Sequence, residues 1–474
     1  MKTSTDYHCY SIQNYLYLIG SFFLSYFLVV ILFSASTSVN SSLYWSYFTL
    51  SISSLSGLFA CYYMVLRKLG SKGLCVVLCA FIFKQFIGTW HFVGLIQPTY
   101  FQGNTEYTFL KDYYWMHDSV SYLSSRIHEV GFLSALDFDF FVLNKGAVIF
   151  YLYSPFYFFG GDLVLNLSHI SNLFSLFAAM LTTFMASTVY KLTKKQELLL
   201  LLLACFFPFS LIISAPSRDY AGQFFIALGM LSLLFSIKNG RLFLLLLVSC
   251  FLFFVQRKIY VIIPVITYIL FLAIQFFSKN VKKDFFYWLR LGIICAFAFY
   301  SLRIYQFLEK LEIFDVNSVV DSNYTTDIRG LSFYFLFPIF FFKGILGAFP
   351  WTQFFEFTQE SAYQVIDYFL STFLFSMMTL TLINFSKFKK ISNLLNPINI
   401  SGLLICLFGL GSGYMHLAYI AMPFLFFIPV IVQYTGMNLF VVVYFCIFIL
   451  FALLSIFWVE LGLQGAGIWY FIKS

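Results

Sequence analysis

Long apolar runs alternate with short basic breaks along most of this chain. Candidate apolar spans fall at about 12–34, 44–66, 74–95, 163–190, 197–214, 220–237, 241–255, 259–278, 285–305, 364–386, 399–413, 416–435 and 438–458. None has the period-two alternation of a half-buried strand, and most approach the ~20 residues a helix needs to cross a bilayer. The pattern predicts helices throughout, with about 12–13 crossing a membrane. The run Ile12–Ser34 is too long for a signal-peptide core and lacks a small-residue cleavage site, so it counts as the first of these helices.

Two further segments do not fit a simple crossing count. These are 147-AVIFYLYSPFYFFGG-161 and 331-LSFYFLFPIFFFKGILGAF-349. Each holds Pro and Gly and adjoins a long polar stretch. They are expected to be re-entrant or interfacial; the alternative is two ordinary short helices. Irregular backbone at membrane depth needs protein or water to cover it.

Composition supports the same class. The chain is 61% hydrophobic and only 10% charged, against about 25% charged in soluble domains. It has too few polar groups to cover a surface in water. The net charge of +8 is no nucleic-acid signal, because the cations cluster in short loops. Arg67, Lys68 and Lys72 form one group, Lys191, Lys194 and Lys195 another, and Lys238 with Arg241 a third. Lys279, Lys282 and Lys283, then Lys387, Lys389 and Lys390, continue the series. The positive-inside rule places these loops, and the N-terminus, on the cytoplasmic side. Two long acid-rich stretches, 96–161 and 306–363, then face outward. The whole chain reads as one integral membrane domain. The nine Cys lie mostly inside apolar runs without paired spacing and read as small core residues, not disulfides or metal ligands.

Five polar clusters fall on the outward side of this topology. In 112-DYYWMHDSVSYLSSRIHEVGF-132, Asp118, Tyr122, Ser125 and Glu129 recur at near-helical spacing beside an apolar stripe. That describes an interfacial helix, whose carboxylate can act as a base or merely be solvated. In 214-SAPSRDYAG-222, Ser217 suits an N-cap and Asp219 the first turn of a helix. Arg218 has no such structural reason, and its planar fork suits phosphate. Arg257 and Lys258 in 256-QRKIY-260 stand outward against the general trend; snorkelling competes with anion binding there. Lys343 and Trp351 lie in 343-KGILGAFPWTQFF-355, and His416 and Tyr419 lie where a late helix re-enters. Helix interiors read as almost free of charge, which favours an enzyme over a flippase or transporter. No phosphate-binding P-loop, dinucleotide fingerprint, zinc-protease motif or nucleophile elbow is present.

Taken together, 118-DSVSY-122, 216-PSRDY-220, 257-RKIY-260, 349-FPW-351 and 414-YMHLAYIAMP-423 resemble motifs of the GT-C class of membrane glycosyltransferases. Within it the chain is most similar to the Wzy-type polymerases of bacterial surface polysaccharides. The family's late motif carries Arg before its Tyr, where His416 stands nearby here. The resemblance implies glycosyl transfer at the outer face of the bacterial inner membrane, with lipid pyrophosphate as leaving group. Lipid-linked oligosaccharide would be the substrate and a chain-length regulator a candidate partner; nucleic acid has no role. Asp118 would orient the acceptor hydroxyl. Arg218, Arg257 and Lys258 would hold the pyrophosphate, with Asp219 positioning Arg218. Tyr122, Tyr260 and Trp351 would contact sugar, joined at the site by Lys343, His416 and Tyr419. No cofactor is required; a divalent metal at Asp118 is left open for want of a ligand set. The alternatives are a GT-C enzyme adding one sugar from a polyprenyl-phosphate monosaccharide, and a lipid-linked oligosaccharide flippase.

Overall fold

The computed structural model describes residues 43–91, 108–131, 134–135, 152–153, 163–206, 218–238, 242–256, 258–277, short pieces between 372 and 380, 396–411 and 437–460. These residues are helical or in turns, and no strand occurs among them. The helices are α1 (Leu43–Leu66), α2 (Gly70–His91), α3 (Thr108–Val130), α4 (Leu163–Tyr190), α5 (Lys194–Phe206), α6 (Arg218–Lys238), α7 (Leu245–Gln256), α8 (Ile262–Phe277), α9 (Pro397–Gly411) and α10 (Met437–Glu460). Short 3-10 turns occupy Arg67–Leu69 and Lys258–Val261. The chain divides into two units; α1–α8 belong to the first, and α9 and α10 to the second.

Helix ends follow local chemistry. Gly70 takes a left-handed φ of 64° after the 3-10 turn, which glycine adopts without a Cβ clash. The Tyr62 hydroxyl donates to the Gly70 carbonyl at 2.6 Å, tying α1 to the start of α2. Thr193 and Gln196 form a capping box for α5. The Thr193 N–H donates to Gln196 Oε1 at 3.0 Å, and the Gln196 N–H donates to Thr193 Oγ1 at 3.4 Å. Asn396 caps α9 through the Asn399 N–H at 3.0 Å, and Pro397 follows at the first helical position, where its missing N–H costs nothing.

Helix α4 is the centre of the first unit and packs against α1, α2, α5 and α6. It runs antiparallel to α2. Near one end Lys68 Nζ donates to Ser187 Oγ at 2.8 Å; further along, Lys84 Nζ donates to Ser175 Oγ at 2.9 Å. Glu197, 1% exposed at the start of α5, receives Lys68 in an ion pair of 3.0 Å. The first two basic turns therefore meet at one end of this unit.

Residues 152–153, within the segment expected to be re-entrant, are helical. Tyr153 is fully buried, with its hydroxyl 3.1 Å from Ser171 Oγ and its ring against Phe174. The rest of 147–161, all of 331–349, and the runs 12–34, 285–305 and 416–435 lie outside the described residues.

Helices α6 and α7 form the most extensive pair. Glycine lets them approach closely: a Cβ at Gly229 would stand 2.8 Å from the Phe253 ring and 3.3 Å from Leu252 Cβ. Ser249 Oγ crosses to the Gly229 carbonyl at 2.8 Å. Gly229→Val is expected to destabilise the first unit by about 1–3 kcal/mol, the usual cost of overpacking. A thermal unfolding midpoint unchanged in detergent would contradict this packing.

Polar and apolar residues are partly inverted relative to a water-soluble bundle. Lys84, His169, Asn172, Ser232 and Ser249 are buried. Leu244, Ile82 and Phe86 are exposed at 71%, 66% and 67%. Among the described residues one helical stretch, His169–Tyr190, is long and apolar enough to cross a membrane; 221–237, 245–256, 262–273 and 439–454 are shorter apolar helices. The cysteine expectation holds only in part. Cys61, Cys205 and Cys250 are buried, but Cys75, Cys79 and Cys446 are exposed, because they occupy outward positions of their helices.

Candidate functional site

The α6–α7 hairpin brings two of the sequence clusters to one end. Helix α6 begins at Arg218, with Asp219 second. One turn later, Gly222 abuts Gln256, so closely that a Cβ would overlap the Gln256 carboxamide. Gln256 is the last residue of α7 and is buried. A 3-10 turn starts at Lys258. The backbone at 218–219 and at 258, 39 residues apart in sequence at their nearest, thus lies near the same helix crossing. The α6 N-terminus adds the positive end of a helix dipole. Such an end is suited to an anion.

The other expected site residues divide into three groups. Asp118 and Tyr122 lie one turn apart on α3. Val120, Leu123 and Ser124 of α3 are buried, whereas Tyr122 is 57% exposed, and Ser125 and Glu129 are exposed on the same side. Tyr122 is therefore accessible for a ligand and is not part of the packed stripe. Tyr260 is fully buried, which assigns it to the packing of the 3-10 turn between α7 and α8. Arg257, Lys343, Trp351, His416 and Tyr419 lie outside the described residues. Among the described residues no group of three or more His, Cys, Asp or Glu can hold a metal.

The structure also assembles a polar centre that the sequence pattern did not single out. Lys84 of α2, 4% exposed, donates to Ser175 of α4. The Asn172 carboxamide donates to the Lys84 carbonyl at 3.1 Å, and the Gln85 carboxamide reaches the His169 carbonyl at 3.4 Å. The His169 ring stands edge-on to Phe81 at 5.5 Å. Lys84 lies about 21 Å along α2 from Gly70, at 1.5 Å per residue, well inside the helix. This corrects the expectation of helix interiors almost free of charge. A signal was present: one Lys in an apolar run, and the ladder Asn166, His169, Asn172, Ser175 at intervals of three in α4. Successive members of such a ladder are neighbours on the helix surface, although the row winds around the helix. It was hidden because each residue alone looks like a minor interruption of an apolar helix. No protein family, curated protein or solved structure matches this chain.

Proposed function

We propose that the chain is a polytopic membrane protein of the bacterial inner membrane. Its proposed activity is joining polyprenyl-pyrophosphate-linked oligosaccharide units at the outer face. The exposed apolar faces and buried polar residues support the membrane reading, since a bilayer reverses the cost of exposing Leu and Phe. The reading rests chiefly on one observation: Gly222, one turn after Arg218 in α6, abuts Gln256 at the end of α7, two residues before Lys258. Glycosyl transfer breaks the bond between the anomeric carbon and the pyrophosphate oxygen, and negative charge grows on the departing pyrophosphate. Arg218, Arg257 and Lys258, with the α6 N-terminus, supply positive charge for that group. Asp118 orients, or accepts the proton of, the acceptor hydroxyl, and the exposed Tyr122 one turn away offers a ring for sugar to stack on.

The decisive experiment is a deletion strain. Loss of polymer with a single capped repeat unit retained supports the polymerase. Undersized repeat units would instead identify a single-sugar transferase. Lipid-linked units held on the cytoplasmic side would identify a flippase.

The buried Lys84 centre favours that last reading as the second choice. A cation inside a helix bundle is costly in a membrane and marks a substrate path by default. Lys84→Met separates the two. The polymerase reading expects near-normal polymer and unchanged or higher thermal stability, because a buried charge replaced by an apolar residue of similar size is often neutral or stabilising. Stalled flipping with intact folding would transfer the function to transport.

A further inference from the structure

We propose that Cys75 and Cys79 of α2 form a dithiol site that chelates a trivalent, thiophilic metalloid of the organoarsenical class, independently of the function proposed above. The two residues stand four apart, about one turn of helix. Their sulfurs are 3.9 Å apart and both residues are exposed. Val77, Ala80 and Phe81 of the same helix are buried, so the pair projects from the face that α2 does not turn to its neighbours. The start of the helix is fixed: Tyr62 fills the space where a Cβ on Gly73 would stand, and its hydroxyl donates to the Gly70 carbonyl. The two thiols are thus held ready, which lowers the cost of binding through both. Cys446 of α10 is also exposed, but the residues four positions either side of it are Val442 and Leu450.

Geometry selects a bridging atom over a disulfide. Helical residues four apart hold their Cβ atoms about 5–6 Å apart, whereas a disulfide needs about 3.5–4.5 Å. Closing one would unwind the turn. An atom bound by each sulfur at about 2.3 Å, the length in zinc–thiolate sites, joins sulfurs 3.9 Å apart at an angle of about 116°. Zinc takes three or four protein ligands, and among the described residues no group of three or more His, Cys, Asp or Glu can hold a metal. A trivalent organoarsenical needs two thiols, because its third valence carries the organic group. Its adduct is neutral and suits a face that also exposes Ile82 and Phe86, where an ion would be disfavoured. With an arsine oxide, the arsenic–oxygen double bond breaks and two arsenic–sulfur bonds form. Both thiol protons leave on that oxygen as water. Arsenic stays trivalent, and no oxidant is needed.

The test uses the full chain, reduced and in detergent, with phenylarsine oxide as probe and mass spectrometry as readout. One equivalent is expected on the peptide that holds Cys75 and Cys79, retained in excess glutathione and removed by 2,3-dimercaptopropanol. Cys75→Ser and Cys79→Ser should each weaken retention about 100-fold or more, because the second sulfur no longer acts at high effective concentration. Cys446→Ser should leave it unchanged. Both positions of the pair are exposed, so the serine variants should keep the wild-type unfolding midpoint. A readout on the wild-type chain needs no variant: the arsenical should protect Cys75 and Cys79 from iodoacetamide together and leave Cys446 reactive. Equal loss of arsenical to glutathione from wild type and the single variants would overturn the site. So would protection of only one of the two thiols, or a Cys75–Cys79 disulfide formed by diamide in the folded chain.

Discussion

Arg218→Ala is expected to reduce polymer formation about 100- to 1,000-fold, the scale of losing one electrostatic contact to a developing charge. The argument separates Arg218 from its neighbour. Both open α6, where a carboxylate is favoured by the helix dipole and a cation is disfavoured by about 0.3–1 kcal/mol. Asp219→Ala should therefore lower helix stability by that small amount, whereas Arg218→Ala should not lower it. Arg218→Lys keeps the charge but loses the planar fork, so its activity should fall between the two. Asp118→Asn should also abolish product, since it removes the charge that orients or deprotonates the acceptor. Polymer made by reconstituted protein, normalised to membrane content, reads these effects. Full activity in Arg218→Ala and Asp118→Asn would remove both residues from the site.

Lys68→Ala is expected to cause the largest loss of stability among the single substitutions at the basic end. It leaves the Glu197 carboxylate, 1% exposed, without its cation. Breaking a fully buried pair costs about 3–5 kcal/mol. Lys68 is 49% exposed, so solvent already weakens the attraction, and about 2 kcal/mol is the expected cost. Glu197→Gln should recover much of this in the Lys68→Ala background, because the uncompensated charge is gone. Thermal unfolding in detergent checks both. No difference between Lys68→Ala and wild type would mean that Glu197 is adequately solvated without Lys68. The pair also bears on assembly, because it joins the α1–α2 turn to the α4–α5 turn.

Local signals located individual elements well. Residues 163–190 were expected as a helix and are one. The spans expected at 220–237 and 438–458 differ from α6 and α10 by only one or two residues at each end. Such runs carry their own boundaries: apolar length on one side, and charge, Gly or Pro on the other. The segment 197–214 fared less well, with α5 beginning three residues earlier at Lys194. Its start is set by the Thr193–Gln196 capping box, which outweighs the two lysines that suggested a loop. Tyr122 and Tyr260 looked alike in sequence, as aromatic residues near charged ones. Packing separated them, leaving Tyr122 exposed and Tyr260 fully buried.

The sequence by itself determined the helical class, the placement of most described helices and the isolation of Arg218 as a cation without a helix-stabilising reason. Each follows from composition or from interactions within a few residues. Only the tertiary structure decided that Gly222 sets the start of α6 against the end of α7, that Lys84 reaches Ser175 of α4, and that Glu197 is buried against Lys68. These contacts join residues 34, 91 and 129 positions apart. They depend on which helix faces meet, and an apolar run greasy on all sides does not reveal which face it turns to a neighbour.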